Sequence, residues 1–461
     1  MLPGGYFMRD RKEKHPFFAS VCRLAVPVAL QSILQSSFSA VDQIMIGQLG
    51  DVSVAAVGIA GKFASIFSVV VSAVGTVAGI MISQYIGQKN RFEVRRSFLL
   101  NLFLSLGMAV LFSGLCLFFP ERIMGLYTKD PGVRRAAAGY LFIIGGSFLP
   151  LAGATLLSVL FRCMEKARLP LYASIAAALL NTALNYLLIF GKAGFPPMGE
   201  RGAAAATLLS QGMNFLLMLF MFFRLRGAEA AGQTEKGSRR RGSFRWKQYM
   251  AMLLPVLVCE FLWSLGENVY TAIYGHMRTE ASAAMILTGP IQGLMIGALC
   301  GLSQAAGVIV GKRLGNKDYK GAYAASKRLL LYGLSGSLLL SVLIILTSRL
   351  YAGIYQVGDS VKLLTAQILI AYALVAPFKV LNMILGGGII RSGGRTKYVM
   401  FIDIIGTWIF GVPLGLFAAF TLKLEVPYVY FILSLEECVR FGISVLVFRK
   451  KRWMQSLKPS G

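Results

Sequence analysis

The sequence predicts an all-α polytopic membrane protein, with twelve transmembrane helices in two pseudo-symmetric six-helix bundles. Three observations predict it. The chain is 56% hydrophobic and only 15% charged, with a mean hydropathy of +0.65, where a soluble domain carries roughly a quarter charged residues. About twelve apolar runs recur from Phe17 to Phe448, each near the roughly 20 residues that cross a hydrocarbon core. The second half of the chain also repeats the first at a constant offset. None of the runs shows the two-residue alternation of a membrane barrel.

Taken in order, hydropathy places the first six helices at about 17–47, 53–86, 97–119, 134–161, 169–190 and 202–225. The first is much longer than a signal h-region, so no cleavable signal peptide is expected. Arg226 to Lys247, rich in Gly, Ser and Arg, reads as a flexible cytoplasmic linker. The second six are expected at about 248–275, 281–314, 326–349, 361–389, 397–421 and 427–449. The resulting division is an N-terminal lobe over 1–225, the linker over 226–247 and a C-terminal lobe over 248–461. Pro27, Pro150, Pro255, Pro377 and Pro413 fall inside helices, where each removes a backbone hydrogen bond and favours a kink. "LGGGII", Leu385 to Ile390, adds backbone freedom beside a basic loop.

The repeat is read directly. Pro27 to Pro255, Gly47 to Gly275 and Gly87 to Gly315 are each separated by 228 residues. The same offset aligns "AVPVAL" with "LLPVLV" and "VAGIMISQYIGQKN" with "AAGVIVGKRLGNKD". Six helices separate the copies, so both begin in the same orientation, an arrangement used by secondary transporters with substrate handled between the halves.

The net charge of +27 is distributed by topology. Of the 47 basic residues, about 33 sit in alternate loops such as "GQKNRFEVRR", "GSRRRGSFRWK" and "RKKRW", and about 11 in the intervening ones, the positive-inside bias. Both termini and the basic loops are therefore expected in the cytoplasm, and the basic residues against anionic lipid. No aromatic-basic module for nucleic acid is seen. The six cysteines form no CxxC pair and the two histidines are far apart, so neither a zinc site nor a disulfide framework is expected. No nucleophile–base–oxyanion set or phosphate loop marks an enzyme, and no cofactor is expected.

On "VDQIMIGQLG", "SQYIGQKN", "NTALNYLLIFG" followed by "GERGAAAATLLSQ", "PVLVCEFLW" and "GGGIIRSGGRTKY", the chain resembles the multidrug and toxic compound extrusion (MATE) transporters over about residues 17 to 450. The resemblance implies two six-helix bundles, a central cavity, and export of organic, drug-like, often cationic compounds driven by inward H+ or Na+. It also implies a multi-pass protein of the plasma membrane, read here as a bacterial inner membrane, and a monomer whose partners are its small-molecule substrate and the lipid bilayer. A lipid-linked precursor flippase of the same superfold is the alternative. It would favour cationic cavity residues, whereas here intramembrane acids exceed the single lysine.

Polar residues inside the apolar runs are the candidate sites, because a membrane-embedded charge is costly and needs partners, water or a function. Asp42 is the one carboxylate in "SSFSAVDQIMIGQLG". Asn181 and Asn185, four apart, share a helix face, Thr207 lies in the next helix, and Tyr140 starts the fourth. The resemblance gathers the matching positions around the first-helix Asp as an ion-coupling site, with Na+ held by Asp42, Asn181, Asn185 and Thr207 as one option. The position matching Asn185 is often Asp in MATE relatives. Asn here leaves a Na+ shell with one formal charge and inclines the reading to H+. In the second half Glu260 lies mid-membrane and matches a helix-seven acid of some branches, a further ion-coupling candidate. Glu267, seven residues on, is near the same face, with Trp263 beside that stripe. Tyr140, from the first half, with Lys379, Asp403, Glu436 and Glu437 completes the candidate substrate cavity. The alternative to a cavity role is structural pairing, of Lys379 with a carboxylate or of Asp403 as a cap or partner of loop arginines, and only one of Glu436 and Glu437, about 100° apart, is expected to face a cavity.

Overall fold

The computed structural model describes residues 17–230, 245–277 and 279–459. Among these, every regular element is a helix. Ten helices are long and apolar enough to cross a membrane, and eleven spans result if one bent pair is counted as a single crossing.

In the first half, α1 (Phe17–Gly47), α2 (Asp51–Gly87) and α3 (Arg91–Phe118) are continuous. α3 begins six residues before its expected start, because the Asn90 side chain accepts the Glu93 N–H at 3.1 Å and caps a charged first turn that hydropathy does not register. The short α4 (Pro120–Gly125) follows. The expected fourth helix is two: α5 (Pro131–Gly145), capped by Asp130, and α6 (Phe148–Cys163), bent by 46°. The break falls just ahead of Pro150, which has no N–H to give to the preceding turn and whose ring would meet that turn's carbonyl. α7 (Arg168–Phe190) stops at Gly191, with φ +65°, and α8 spans Gly199–Ala230.

In the second half, α9 (Trp246–Met277), α10 (Thr279–Gly315) and α11 (Tyr319–Gly353) run unbroken, α9 through Pro255 and α10 through Pro290. α12 (Asp359–Asn382) widens into a π-helical segment, Met383–Ile390, over the glycine run. The next crossing alternates α13 (Thr396–Asp403), a π segment Ile404–Gly411, α14 (Val412–Leu416) and a π segment Phe417–Thr421. The expected twelfth helix is broken at Leu435 into α15 (Val426–Ser434) and α16 (Glu436–Arg449). Its two pieces are short, and α16 opens with two acids.

The described residues group into two compact units. One takes the described residues of 30–82 and 90–230, the other those of 17–29, 83–89, 245–277 and 279–459. The division is not the one at 225 and 248 expected above, since α1 and α2 are each shared. The expected linker runs over 226–247, and its residues 231–244 lie outside the described residues.

The core of the first unit is the Phe67–Phe148 stack, centroids 4.4 Å apart, with Leu141, Ala137 and Met124 fully buried around it. In the second unit, the ends of α2 and α10 cross backbone to backbone. A Cβ at Gly87 would overlap the Lys312 carbonyl, one at Gly315 the Gln84 carbonyl, and one at Gly311 the Ser83 hydroxyl. Residues 84 and 312, 87 and 315, and 83 and 311 are equivalent under the 228-residue offset, so the crossing is reciprocal and Ser83 meets its own counterpart. The Gln84 amide also donates to Ser392 O at 2.6 Å and Gln455 O at 3.1 Å and accepts Leu457 N–H at 2.7 Å. It thereby ties the C-terminal residues to this end of α2.

Candidate functional site

In the first unit, α1, α6, α7 and α8 assemble a polar cavity of about 350 Å³ whose lining includes Gln31, Gln35, Asp42, Arg162, Ser174, Asn181, Thr207, Gln211 and Asn214. Asn185 Nδ2 donates to Asp42 Oδ1 at 2.6 Å. The Asn181 amide, one turn earlier on α7, faces the same carboxylate. Turned with its nitrogen toward Asp42, it donates to Oδ1 at 3.0 Å and Oδ2 at 2.9 Å, the orientation that sets donor against acceptor. Ser210 Oγ lies 3.3 Å from the same amide. Thr207 lines the cavity with its hydroxyl given to Ala203 O at 3.0 Å. Tyr140 packs against the hydrophobic core, within electrostatic range of Asp42.

The carboxylate thus accepts the Asn185 N–H, and in its turned orientation that of Asn181, an arrangement that stabilises an anion. A hard cation would need amide oxygens in those places. One amide oxygen, Asn185 Oδ1, is buried without a partner. Among the described residues no group of three or more His, Cys, Asp or Glu could hold a metal ion.

In the second unit the expected acids divide into two sets. Glu260 and Asp403 belong to a chain of ion pairs. Arg391 donates to Glu260 Oε1 at 2.9 Å and to Cys259 Sγ at 3.0 Å, the Cys259 thiol donates to Asp403 Oδ2 at 2.6 Å, and Arg440 pairs with Asp403. Glu260 therefore has its own guanidinium, and the arginine that Asp403 meets is on α16 rather than in a loop. Glu267, Lys379, Glu436 and Glu437 line a separate cavity of about 290 Å³, together with Tyr270, Tyr274, Gln292, Tyr372 and Tyr430. Both Glu436 and Glu437 face it, against the expectation of one. They are adjacent first-turn residues of α16, still about 100° apart, and the cavity extends to both. Glu436 accepts the Tyr270 hydroxyl, and Glu437 accepts the Asn382 amide at 2.8 Å and pairs with Arg440 at 3.5 Å. Lys379 has no carboxylate within ion-pair distance among the described residues, but it lies in the electrostatic field of Glu437, Glu267 and Glu436. Trp263 is 50% exposed and lies outside both cavity linings.

Sequence reasoning missed Gln31, Gln35, Gln211 and Asn214, although amides three or four apart in apolar runs mark one polar face of a helix. It also missed Arg391 and Arg440, which charge counting assigns to a basic loop and to a lone helical base.

The MatE family model matches this chain twice, over residues 27–187 and 255–417, so the copies begin at the same two prolines, Pro27 and Pro255. The chain is 21% identical over 441 residues to the uncharacterised transporter YisQ of Bacillus subtilis, covering 95% of each. It is 27% identical over 414 residues to a probable multidrug resistance protein NorM of Brucella suis, covering 86% of this chain and 85% of that one. Among solved structures, a MATE crystal structure in complex with MaL6 superposes with a TM-score of 0.85 at 17% identity, covering 96% of this chain and 98% of that one.

Proposed function

Because the chain belongs to the MatE family of multi-pass membrane transporters, we propose that it exports organic, drug-like compounds, many of them cationic, by proton-coupled antiport with alternating access. The named relatives support drug extrusion as the activity. One observation carries the choice of ion: the Asn185 amide nitrogen, not its oxygen, meets Asp42, at 2.6 Å. In one transport state Asp42 is ionised and holds the Asn185 and Asn181 amides. A proton entering down its gradient neutralises the carboxylate, weakens both charge-assisted bonds and releases α1 from α7. Transport follows if proton and cargo favour different states, because a ligand shifts an equilibrium only through differential affinity. The cytoplasmic placement of both termini and residence in a bacterial inner membrane belong to the same proposal. The acids of the second-unit cavity outnumber its one lysine, which disfavours a pyrophosphate-lipid cargo.

The test is dye efflux in everted vesicles with pH and Na+ gradients imposed separately. Wild type should respond to the pH gradient, and Asp42→Asn, at equal membrane abundance, should lose that response. Normal gradient-driven efflux by Asp42→Asn would reduce Asp42 to a buried acid with no coupling role.

A further inference from the structure

Beyond α16 the chain turns back at Lys451, with φ +55°, and residues 451–457 form a strap beside the α2–α10 crossing of the second unit. Its first half is anchored. Trp453 is fully buried, stacks on Phe448 with centroids 5.7 Å apart and donates its Nε1–H to Phe448 O at 3.2 Å. A Cβ at Gly393 would overlap the Trp453 carbonyl. The second half is held by two side chains of α2, one turn apart. Gln84 donates to Gln455 O at 3.1 Å and accepts Leu457 N–H at 2.7 Å. Gln88 donates to Leu457 O at 2.7 Å and to Ser456 Oγ at 3.2 Å. A side-chain amide offers the same donor and acceptor as a peptide unit, so the glutamines grip the strap mainly by its backbone. The equivalent positions of the second copy are Lys312 and Asn316, so the grip belongs to one copy and breaks the symmetry of the crossing.

The helix so gripped is shared: residues 51–82 of α2 belong to the first unit and 83–87 to the second. The grip is made of neutral hydrogen bonds, each worth about two- to tenfold in an equilibrium, a strength that biases a two-state change without preventing it. We propose that Gln84 and Gln88 are positioning residues of the transport cycle, the catch of a latch. The strap holds the last turns of α2 against α10 in this state, and the bonds of the two glutamines to it break when the opposite state forms. The inference rests on the alternating-access reading above.

Two reversible cross-links test it in everted vesicles, each made with a short bis-methanethiosulfonate and judged against its single-cysteine variants. Gln88→Cys with Ser456→Cys ties the strap to α2. Arg395→Cys with Gln455→Cys ties it to the turn before α13, where the two native side chains meet at 2.9 Å. The first link should cut dye efflux at least tenfold, with recovery on reduction, and the second should leave efflux intact. Equal effects of the two links, or none from the first, overturn the latch. A second measurement uses purified protein in lipid nanodiscs without a gradient. Truncation after Met454 removes the gripped half and keeps the Trp453 anchor. It should speed maleimide labelling of Ser83→Cys, which faces Gly311 rather than the strap, at least tenfold. An unchanged labelling rate with a lowered melting temperature is the mark of a tail that only stabilises, and overturns the latch. If the truncated chain does not fold, the cross-links decide. Efflux absent from untreated wild-type vesicles removes the export reading and the latch with it, whereas normal efflux with both links in place removes the latch alone.

Discussion

At the scale of single residues, the two halves treat acids differently. Asp42 was legible in the sequence because it stands alone in an uncharged run, and its partners were legible because Asn181 and Asn185 share a helix face. The direction of their amides was not legible, since hydrogen-bond orientation depends on the assembled site. Asn185→Asp would set a second carboxylate against Asp42, where the amide now donates at 2.6 Å. Two carboxylates so close cannot both ionise without a cation, so this variant should gain Na+-stimulated efflux, measurable in vesicles at fixed pH. Glu260 shows the opposite limit: its position was legible, its guanidinium partner was not. Glu260→Gln leaves Arg391 buried without its carboxylate, and removing one partner of a buried pair costs about 3–5 kcal/mol, an upper bound here because the Glu260 side chain is 22% exposed. A lowered melting temperature is expected, recovered in large part by Glu260→Asp. Unchanged melting together with lost coupling would return Glu260 to the coupling site.

At the scale of elements, hydropathy located the crossings but not their interruptions. The α5–α6 bend depends on what Pro150 does to the turn before it, and the π segments depend on which backbone approaches which. Both are invisible to an average over twenty residues. The glycine run of α12 makes this concrete. A Cβ at Gly388 would lie 2.5 Å from Ser303 O and 2.9 Å from Ala306 Cβ, whereas one at Gly442 on α16 would meet nothing within 4 Å. Gly388→Ala should therefore destabilise the protein by about 1–3 kcal/mol through overpacking. Gly442→Ala should be neutral or gain up to about 1 kcal/mol from helix propensity. Thermal melts of the two variants in the same detergent check the contrast, and equal melts would deny the close approach of α12 to α10.

At the scale of the whole molecule, charge and repetition were the legible features. The proposed cytoplasmic placement of both termini, argued from the alternate basic loops, predicts that a reporter fused after Gly461 is active only as a cytoplasmic protein. A periplasmic signal would reverse the topology. The constant offset of 228 residues exposed the repeat, but nothing in it told that equivalent positions touch. That contact carries a historical consequence. A position lying on the pseudo-two-fold axis of a duplicated gene faces its own copy, so when the copies were identical, residue 83 and residue 311 were the same amino acid pressed against itself. Two serines would have crowded there, because a Cβ at Gly311 meets the Ser83 hydroxyl at 2.3 Å and its Cβ at 3.1 Å. Glycine in both copies would be free of that overlap, and with Ser83 in one copy a glycine in the other leaves room for its hydroxyl. Gly311→Ser alone should then fail to reach wild-type abundance, and the exchanged pair Ser83→Gly with Gly311→Ser should recover it, since the axis does not distinguish which copy carries the side chain.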